Sequence, residues 1–125
     1  MVIDSTILVD AVRGQAPAKK FLEAAEEKLF ISRAGVMEMV RGSRNKRDFK
    51  AISKLIASLN MEIVEISNEI SAVAGAIFES YWHSHGVGAM DSFIAATALM
   101  LKQRLATHNI KHFKPIKGLN LTVPY

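Results

Sequence analysis

Short apolar segments alternate with helical segments along the whole chain, and this alternation constrains the fold more than any other feature. The predicted strands are residues 2–4, 29–32, 62–66 and 105–107, with a fifth at 119–123. The predicted helices are residues 5–12, 18–28, 34–42, 48–59, 67–83 and 91–102. Strands that alternate with helices predict an α/β fold, with a parallel sheet covered on both faces.

The composition is that of one globular domain. The chain has 125 residues, half of them hydrophobic and none of them cysteine. The lack of cysteine excludes a disulfide scaffold and a zinc–thiolate site. The N-terminus carries Asp4 and Asp10 instead of a basic start, so we do not expect a signal peptide. Because the longest apolar run, residues 93–101, is too short to span a bilayer, we expect a soluble cytoplasmic protein without a membrane partner.

Basic residues are segregated along the chain. Residues 41–54 contain six basic side chains and one acid, and residues 102–117 contain five basic side chains and no acid. These stretches together carry a net charge of +10, which leaves −6 for the rest of a chain whose total is +4. Such segregation suits a polyanionic partner that approaches from one side, although charge alone favours the simpler explanation of solvated helix and loop faces.

Two aspartates lie at the ends of predicted elements, where a functional site can form. Asp4 ends the first strand, and it can also be the N-cap of the helix that follows. Asp91 opens a helix, where it can act as a cap or as a first-turn acid. Its neighbours at i+3, i+4 and i+7 are Ile94, Ala95 and Ala98, an apolar stripe suited to packing on a sheet. An acid on such a buried side is usually paired or bound to metal.

Glu38 is the third candidate acid. It lies in the helix after the second strand, where we assign Val36, Met37 and Val40 to the apolar side. Taken alone, Glu38 is best explained as an exposed partner of Arg41.

The three acids gain meaning in combination. Each one ends a strand or lies in the helix after a strand, so a parallel sheet would bring all three to one edge, where ligands bind. Clustered carboxylates repel one another unless a cation neutralises them, and oxygen ligands without cysteine favour Mg²⁺ or Mn²⁺. Such an ion can activate water for phosphoryl chemistry. Neither a dinucleotide fingerprint nor a phosphate-loop lysine motif is present.

Four ordered segments carry a family resemblance that runs over nearly the whole chain. They are VIDSTILVD, VMEMVRG, MDSFIAATAL and LATHNIKHF, and the closing KGLNLTVPY adds to them. They resemble the motifs of PIN-domain ribonucleases, above all the toxin component of VapBC-type toxin–antitoxin pairs. The resemblance implies a single PIN-like domain over residues 1–125, a three-layer α/β/α sandwich around a mostly parallel sheet of four to five strands.

The resemblance also implies an activity and partners. It implies a Mg²⁺- or Mn²⁺-dependent endoribonuclease that hydrolyses RNA, often structured RNA such as tRNA. A cognate antitoxin would block the site, and a homodimer is common in the family. Aromatic side chains near the end of the long helix, Phe78, Tyr81 and Trp82, are candidates for such an interface, with core packing as the alternative for Phe78.

Individual residues match the motifs. By this resemblance Asp4, Glu38 and Asp91 hold the metal, while Thr6, Thr107 and Asn109 position water or the third acid. Many relatives have an acid at the position of His112 or Asn109, and this chain has an acid at neither position. His112 is left open as a ligand, a phosphate contact or a helix-end residue, and a second metal ion is in doubt. The candidate contacts to the RNA backbone are basic residues of the two stretches: Arg41, Arg44, Lys46, Arg47, Lys111 and Lys114.

A second hypothesis follows from the missing fourth acid. The chain would then be a catalytically weak or inactive PIN-fold module that binds RNA or its antitoxin without cutting.

Overall fold

The computed structural model describes all 125 residues around a five-stranded sheet in which every neighbouring pair of strands is parallel. The strands are β1 (Val2–Ile3), β2 (Phe30–Ser32), β3 (Glu62–Val64), β4 (Leu105–Ala106) and β5 (Leu121–Thr122). Their order, β3-β2-β1-β4-β5, puts β1 in the centre. The predicted parallel sheet is confirmed.

Seven helices surround the sheet. They are α1 (Ser5–Val12), α2 (Ala16–Glu23), α3 (Arg33–Gly42), α4 (Lys46–Ser58), α5 (Asn68–His85), α6 (Ala89–Leu101) and α7 (Ile110–Phe113). Serine side chains start two of them, because Ser32 accepts a bond from the backbone N–H of Ala34 and Ser67 accepts one from that of Ile70. No helix is both long enough and apolar enough to cross a membrane.

The core has one half on each face of the sheet. Successive strand residues point to opposite faces, so Val2 belongs to the half covered by α5 and α6, and Ile3 belongs to the half covered by α1 and α4. Helix α3 contributes to both halves, through Ala34 on one side and Met39 on the other. This arrangement confirms the predicted three-layer sandwich and places α3 at the edge where β1 and β2 end.

Most predicted elements are present, with differences at their ends. Helix α1 has the predicted bounds, whereas the helix predicted at 18–28 runs over Ala16–Glu23 instead. Helix α7 was not predicted, because four residues are too few to show a helical period. Asn60, expected to end α4, adopts a left-handed φ of 51° two residues after the helix.

The predicted apolar side of α3 is correct for Val36, which is buried, and wrong for Met37 and Val40. Met37 and Val40 are about half exposed, at 54% and 52%, whereas Ala34 and Met39 are buried. The buried side is built mainly from small residues that let α3 approach the sheet, as at Gly35, where an added Cβ would lie 3.1 Å from Ile31. Ala34 lies one turn before Glu38, so the backbone of Glu38 lies on the same, inward-facing side of the helix.

Candidate active site at the carboxyl edge of the sheet

Asp4 lies directly after the central strand and is buried, with 7% of its surface exposed. It occupies the N-cap position of α1, but its carboxylate makes no capping bond. Its Oδ2 atom accepts a 2.6 Å hydrogen bond from the hydroxyl of Thr107, and Oδ1 lies 3.4 Å from the hydroxyl of Ser5. Asp4 is therefore the N-cap residue by position, but its carboxylate is held at the sheet edge and does not cap the helix.

Asp91 lies in the first turn of α6, behind Gly88 as the N-cap. The stripe predicted above it is buried, since Ile94, Ala95 and Ala98 are each at most 2% exposed. Its Oδ2 atom lies 3.2 Å from Nδ1 of His112. Because an ionised carboxylate can only accept, Nδ1 carries the proton in this contact.

Glu38 is half-buried and makes no ion pair with Arg41 within 4 Å, so the predicted alternative of an exposed pair is wrong. Burial raises the pKa of the Glu38 carboxyl above its ordinary value, and the charges of Asp4 and Asp91 raise it further. The Arg41 charge opposes them with the smallest contribution. The three acids therefore lie close enough to repel one another.

The pKa of Asp91 is raised for a similar reason. Burial is the largest cause, and the charge of Asp4 adds to it. The hydrogen bond and charge of His112 lower this pKa, as does the backbone N–H contact recorded for Gly88. His112 is thus the main side chain that favours the ionised form of Asp91.

A chain of polar contacts links the two aspartates. Besides binding Asp4, the hydroxyl of Thr107 accepts a 2.9 Å bond from the backbone N–H of Asn109. Nδ1 of His112 lies 3.2 Å from Asp91 and 2.9 Å from the side-chain amide of Asn109. Because Nδ1 donates to Asp91, its contact with Asn109 is a hydrogen bond only when the amide oxygen faces the ring. The loop after β4 and helix α7 therefore connect Asp4 to Asp91 through side chains of the T-x-N motif and His112.

A cleft of about 320 Å³ opens beside Glu38. Thr6, which is exposed and makes no side-chain hydrogen bond, lines this cleft instead of contacting Asp4. Asp10, Arg13 and Arg41 also line it. The sequence analysis missed Asp10 and Arg13, although Thr6, Asp10 and Arg13 follow the i, i+4, i+7 spacing of one face of α1.

The basic residues named as RNA contacts are all exposed but lie on different elements. Lys111 and Lys114 lie on and just after α7, and the other four lie on α3, on α4 or between them. Arg44 is held by an ion pair of 2.9 Å with Asp48. Arg41 alone among the six lines the cleft.

The chemistry of the three acids fits a divalent metal ion, with one restriction. A site for a hard cation offers oxygen ligands, and its clustered carboxyls have raised pKa values before the cation binds. The pKa values of Glu38 and Asp91 are raised in this way. No three His, Asp or Glu side chains, however, are arranged to hold an ion by themselves. The fit is to an ion such as Mg²⁺ that is bound by one or two carboxylates and keeps several water ligands.

Comparisons with known proteins agree with this fold. The family model described as PIN domain matches residues 1–118. Ribonuclease VapC10 of Mycobacterium tuberculosis is 31% identical over 122 residues, which cover 95% of this chain and 90% of that protein.

Two solved structures are also similar over almost their full length. One, a toxin–antitoxin complex from Klebsiella pneumoniae, has a TM-score of 0.79 and 28% identity and covers 99% of this chain and 97% of that chain. The other is the crystal structure of VapBC2 from Rickettsia felis bound to a promoter DNA fragment, with a TM-score of 0.76, 28% identity and coverage of 97% and 96%. The chain therefore belongs to the PIN domain family, and its relatives include the VapC ribonucleases.

Proposed function

We propose that this chain is a divalent-metal-dependent endoribonuclease and the toxin of a toxin–antitoxin pair. The observation that carries the proposal is the convergence of Asp4, Glu38 and Asp91 at the edge where the central strands end. The names of the VapC relatives support ribonuclease activity, and phosphodiester hydrolysis is chemistry that a carboxylate-bound divalent ion promotes. The substrate class we propose is structured RNA such as tRNA.

In this mechanism Asp4 and Asp91 would hold a Mg²⁺ or Mn²⁺ ion, and Glu38 would complete the site. The bound ion would supply a water molecule of lowered pKa and neutralise charge that develops on the phosphate. Thr107 is a positioning residue that holds the Asp4 carboxylate, and His112 together with Asn109 holds Asp91. Thr6, at the mouth of the cleft, offers a free hydroxyl to a water molecule or to the substrate.

RNA cleavage by the purified chain in Mg²⁺ or Mn²⁺ tests the proposal. Asp4→Asn and Asp91→Asn keep the size of each side chain but remove a charged ligand, so we expect each to reduce cleavage at least a hundredfold. Glu69→Gln is the matched control, because Glu69 is a first-turn acid of α5 just as Asp91 is a first-turn acid of α6. Equal activity of Asp91→Asn and Glu69→Gln would rule out the assigned site.

We also propose that the partner is a cognate antitoxin and that the chain forms a homodimer. The similarity to VapBC complexes supports the first part. Trp82, 48% exposed beside Phe78, supports the second, with ring centroids 5.6 Å apart. If Trp82→Ala leaves the mass in light scattering at that of the wild-type dimer, Trp82 is not part of the dimer interface.

A second candidate function is a PIN-fold module that binds RNA or an antitoxin without cutting. The observation in its favour is the presence of Asn109 and His112, and of no further carboxylate, in the chain of polar contacts. Calorimetry separates the candidates. Retained RNA binding with no binding of Mn²⁺ at millimolar concentrations favours the module, and Mn²⁺ binding that Asp91→Asn abolishes favours the enzyme.

A further inference from the structure

Two arginine side chains line the cleft beside Glu38 without a direct carboxylate partner. Arg13, at the C-terminal end of α1, and Arg41, in the last turn of α3, both line it, and neither forms an ion pair within 4 Å. Arginine side chains that line a cavity without a carboxylate partner leave their N–H donors to water or to a ligand. The cleft is therefore equipped to bind an anion.

Two acids, Asp10 and Glu38, line the same cleft, and neither forms an ion pair with these arginines. Asp10 lines the cleft, but its Oδ2 atom accepts a 2.8 Å hydrogen bond from the hydroxyl of Tyr125 and its Oδ1 atom accepts one of 3.3 Å from Gln15. The ring of His108 packs edge-on against Tyr125, with ring centroids 4.3 Å apart. The Asp10 carboxylate is thus bound by the neutral hydroxyl of Tyr125. The guanidinium groups of Arg13 and Arg41 remain free to bind a ligand.

The size and lining of the cleft limit what it binds. Its volume of about 320 Å³ lies at the lower end of the range for small-ligand sites, roughly 300–1,000 Å³. Only two of its nine lining residues are hydrophobic, and the hydroxyls of Ser5 and Thr6 add polar groups. A small, polar, anionic unit fits these features better than an apolar ligand or a duplex.

We propose that this cleft is a subsite for one nucleotide unit of the RNA strand next to the scissile bond, with Arg13 and Arg41 binding its phosphate oxygens. The inference rests on the proposed ribonuclease function and adds to it the position and the recognition groups of the substrate. Glu38 belongs both to the cleft and to the acid site, so a strand bound in the cleft runs directly to the proposed metal. A guanidinium group offers paired donors that match phosphate oxygens.

Fluorescence anisotropy with a labelled single-stranded RNA in EDTA tests the subsite apart from cleavage. We expect Arg13→Gln to weaken RNA binding about tenfold. The slope of log K against the logarithm of the salt concentration should become about one unit less steep, as for a lost phosphate contact. Arg13→Lys keeps the charge without the paired donors and should fall between wild type and Arg13→Gln. Lys19→Gln is the control, because it removes one exposed positive charge from α2, outside the cleft.

Three outcomes overturn the inference, and one separates it from the proposed function. Equal binding by folded Arg13→Gln and Lys19→Gln overturns it, as does the absence of RNA binding by the wild type. Arg13-dependent binding of a polyglutamate peptide as tight as that of RNA of equal charge assigns the cleft to an acidic protein partner instead. Arg13-dependent RNA binding without cleavage in Mg²⁺ or Mn²⁺ supports the subsite and contradicts the nuclease.

Discussion

The hydroxyl of Thr107 donates a 2.6 Å hydrogen bond to Oδ2 of Asp4, although the two residues are 103 positions apart in the chain. Parallel pairing of β1 with β4 brings them together, because each residue directly follows one of these neighbouring strands. Thr107 is fully buried, and Asp4 nearly so. One hydroxyl thus joins the first acid of the candidate site to the loop that carries Asn109 and His112.

We expect Thr107→Val to destabilise the protein by about 1–3 kcal/mol, because it leaves a buried carboxylate oxygen and the N–H of Asn109 without their partner. Valine has nearly the same shape, so the loss reports the hydroxyl and not a cavity. Urea unfolding measures it. Thr107→Ser keeps the hydroxyl and should lose less stability than Thr107→Val. Wild-type stability of Thr107→Val would contradict the structural role of this bond.

The N-cap of α3 offers a second test, because it positions Glu38. Ser32 is buried and accepts a 3.0 Å bond from the N–H of Ala34. Loss of such a cap costs about 1 kcal/mol, so Ser32→Ala should lower both stability and RNA cleavage. Ser67→Ala removes the equivalent 3.1 Å cap of α5, which carries none of the three acids. We expect it to lower stability by a similar amount and to leave cleavage of the folded protein unchanged.

The sequence predicted the site better than its surroundings, for a physical reason. The positions of Asp4 and Asp91 depend on short-range order, a strand that ends and a helix that begins, and on the rule that parallel strands end at one edge. The family resemblance likewise marked Thr107 and Asn109. Asp4, Thr107 and Asn109 form one hydrogen-bonded chain because β1 and β4 are neighbours, which the order of strands along the chain does not reveal.

The features that the sequence did not predict depend on how the elements pack. The inward side of α3 is built from small residues, so periodicity assigned the larger Met37 and Val40 to the core, although they are exposed. The hydrogen bond from Tyr125 to Asp10 joins residues far apart in the chain, and Arg13, three residues after Asp10, forms no ion pair within 4 Å. The contact of His112 with Asp91 depends on α7, which is too short to show a period.

The raised pKa of Glu38 predicts how stability depends on pH. In the unfolded chain this carboxyl ionises near its ordinary value of 4.5, whereas the folded protein retains the proton to higher pH. Ionised Glu38 therefore destabilises the fold, and this effect is absent below about pH 4.5, grows as pH rises to the folded pKa and is complete above it.

We accordingly expect Glu38→Gln in metal-free buffer to melt a few degrees above wild type at neutral pH, with a difference that disappears as pH falls below 4.5. Calorimetric melting curves across this pH range provide the measurement. Glu69→Gln, at an exposed position on α5, should show no such difference. A Glu38→Gln protein that is less stable than wild type at neutral pH would show that the charge of Glu38 is not repelled.

Metal binding should reverse the repulsion among the acids. A ligand that binds only the folded state at a hundredfold excess over its dissociation constant stabilises a protein by about 2.7 kcal/mol. We therefore expect Mn²⁺ to raise the melting temperature of the wild type and EDTA to restore it. Asp4→Asn and Asp91→Asn should lose this response, while Glu69→Gln should keep it. A Mn²⁺-induced rise of wild-type size in Asp91→Asn would place the ion elsewhere.

His112 provides the last test, because it opposes the effect of burial on Asp91. Its hydrogen bond and charge lower the pKa of Asp91, while burial raises it. His112→Ala removes the first effect and leaves the second, so the pKa of Asp91 should rise further. Because the proposed site needs ionised Asp91, the acidic limb of the pH–rate profile should then move to higher pH, while cleavage well above this limb falls much less.

A carbon-13 titration of the Asp91 carboxyl in the metal-free protein measures the same shift without relying on activity. His83→Ala is the matched control, because His83 is an exposed histidine on α5 and contacts none of the three acids. An acidic limb and a carboxyl titration that both stay in place in His112→Ala would show that the 3.2 Å contact with Asp91 does not persist in solution. His112 would then be a helix-end residue, and the link between the two aspartates would end at Asn109.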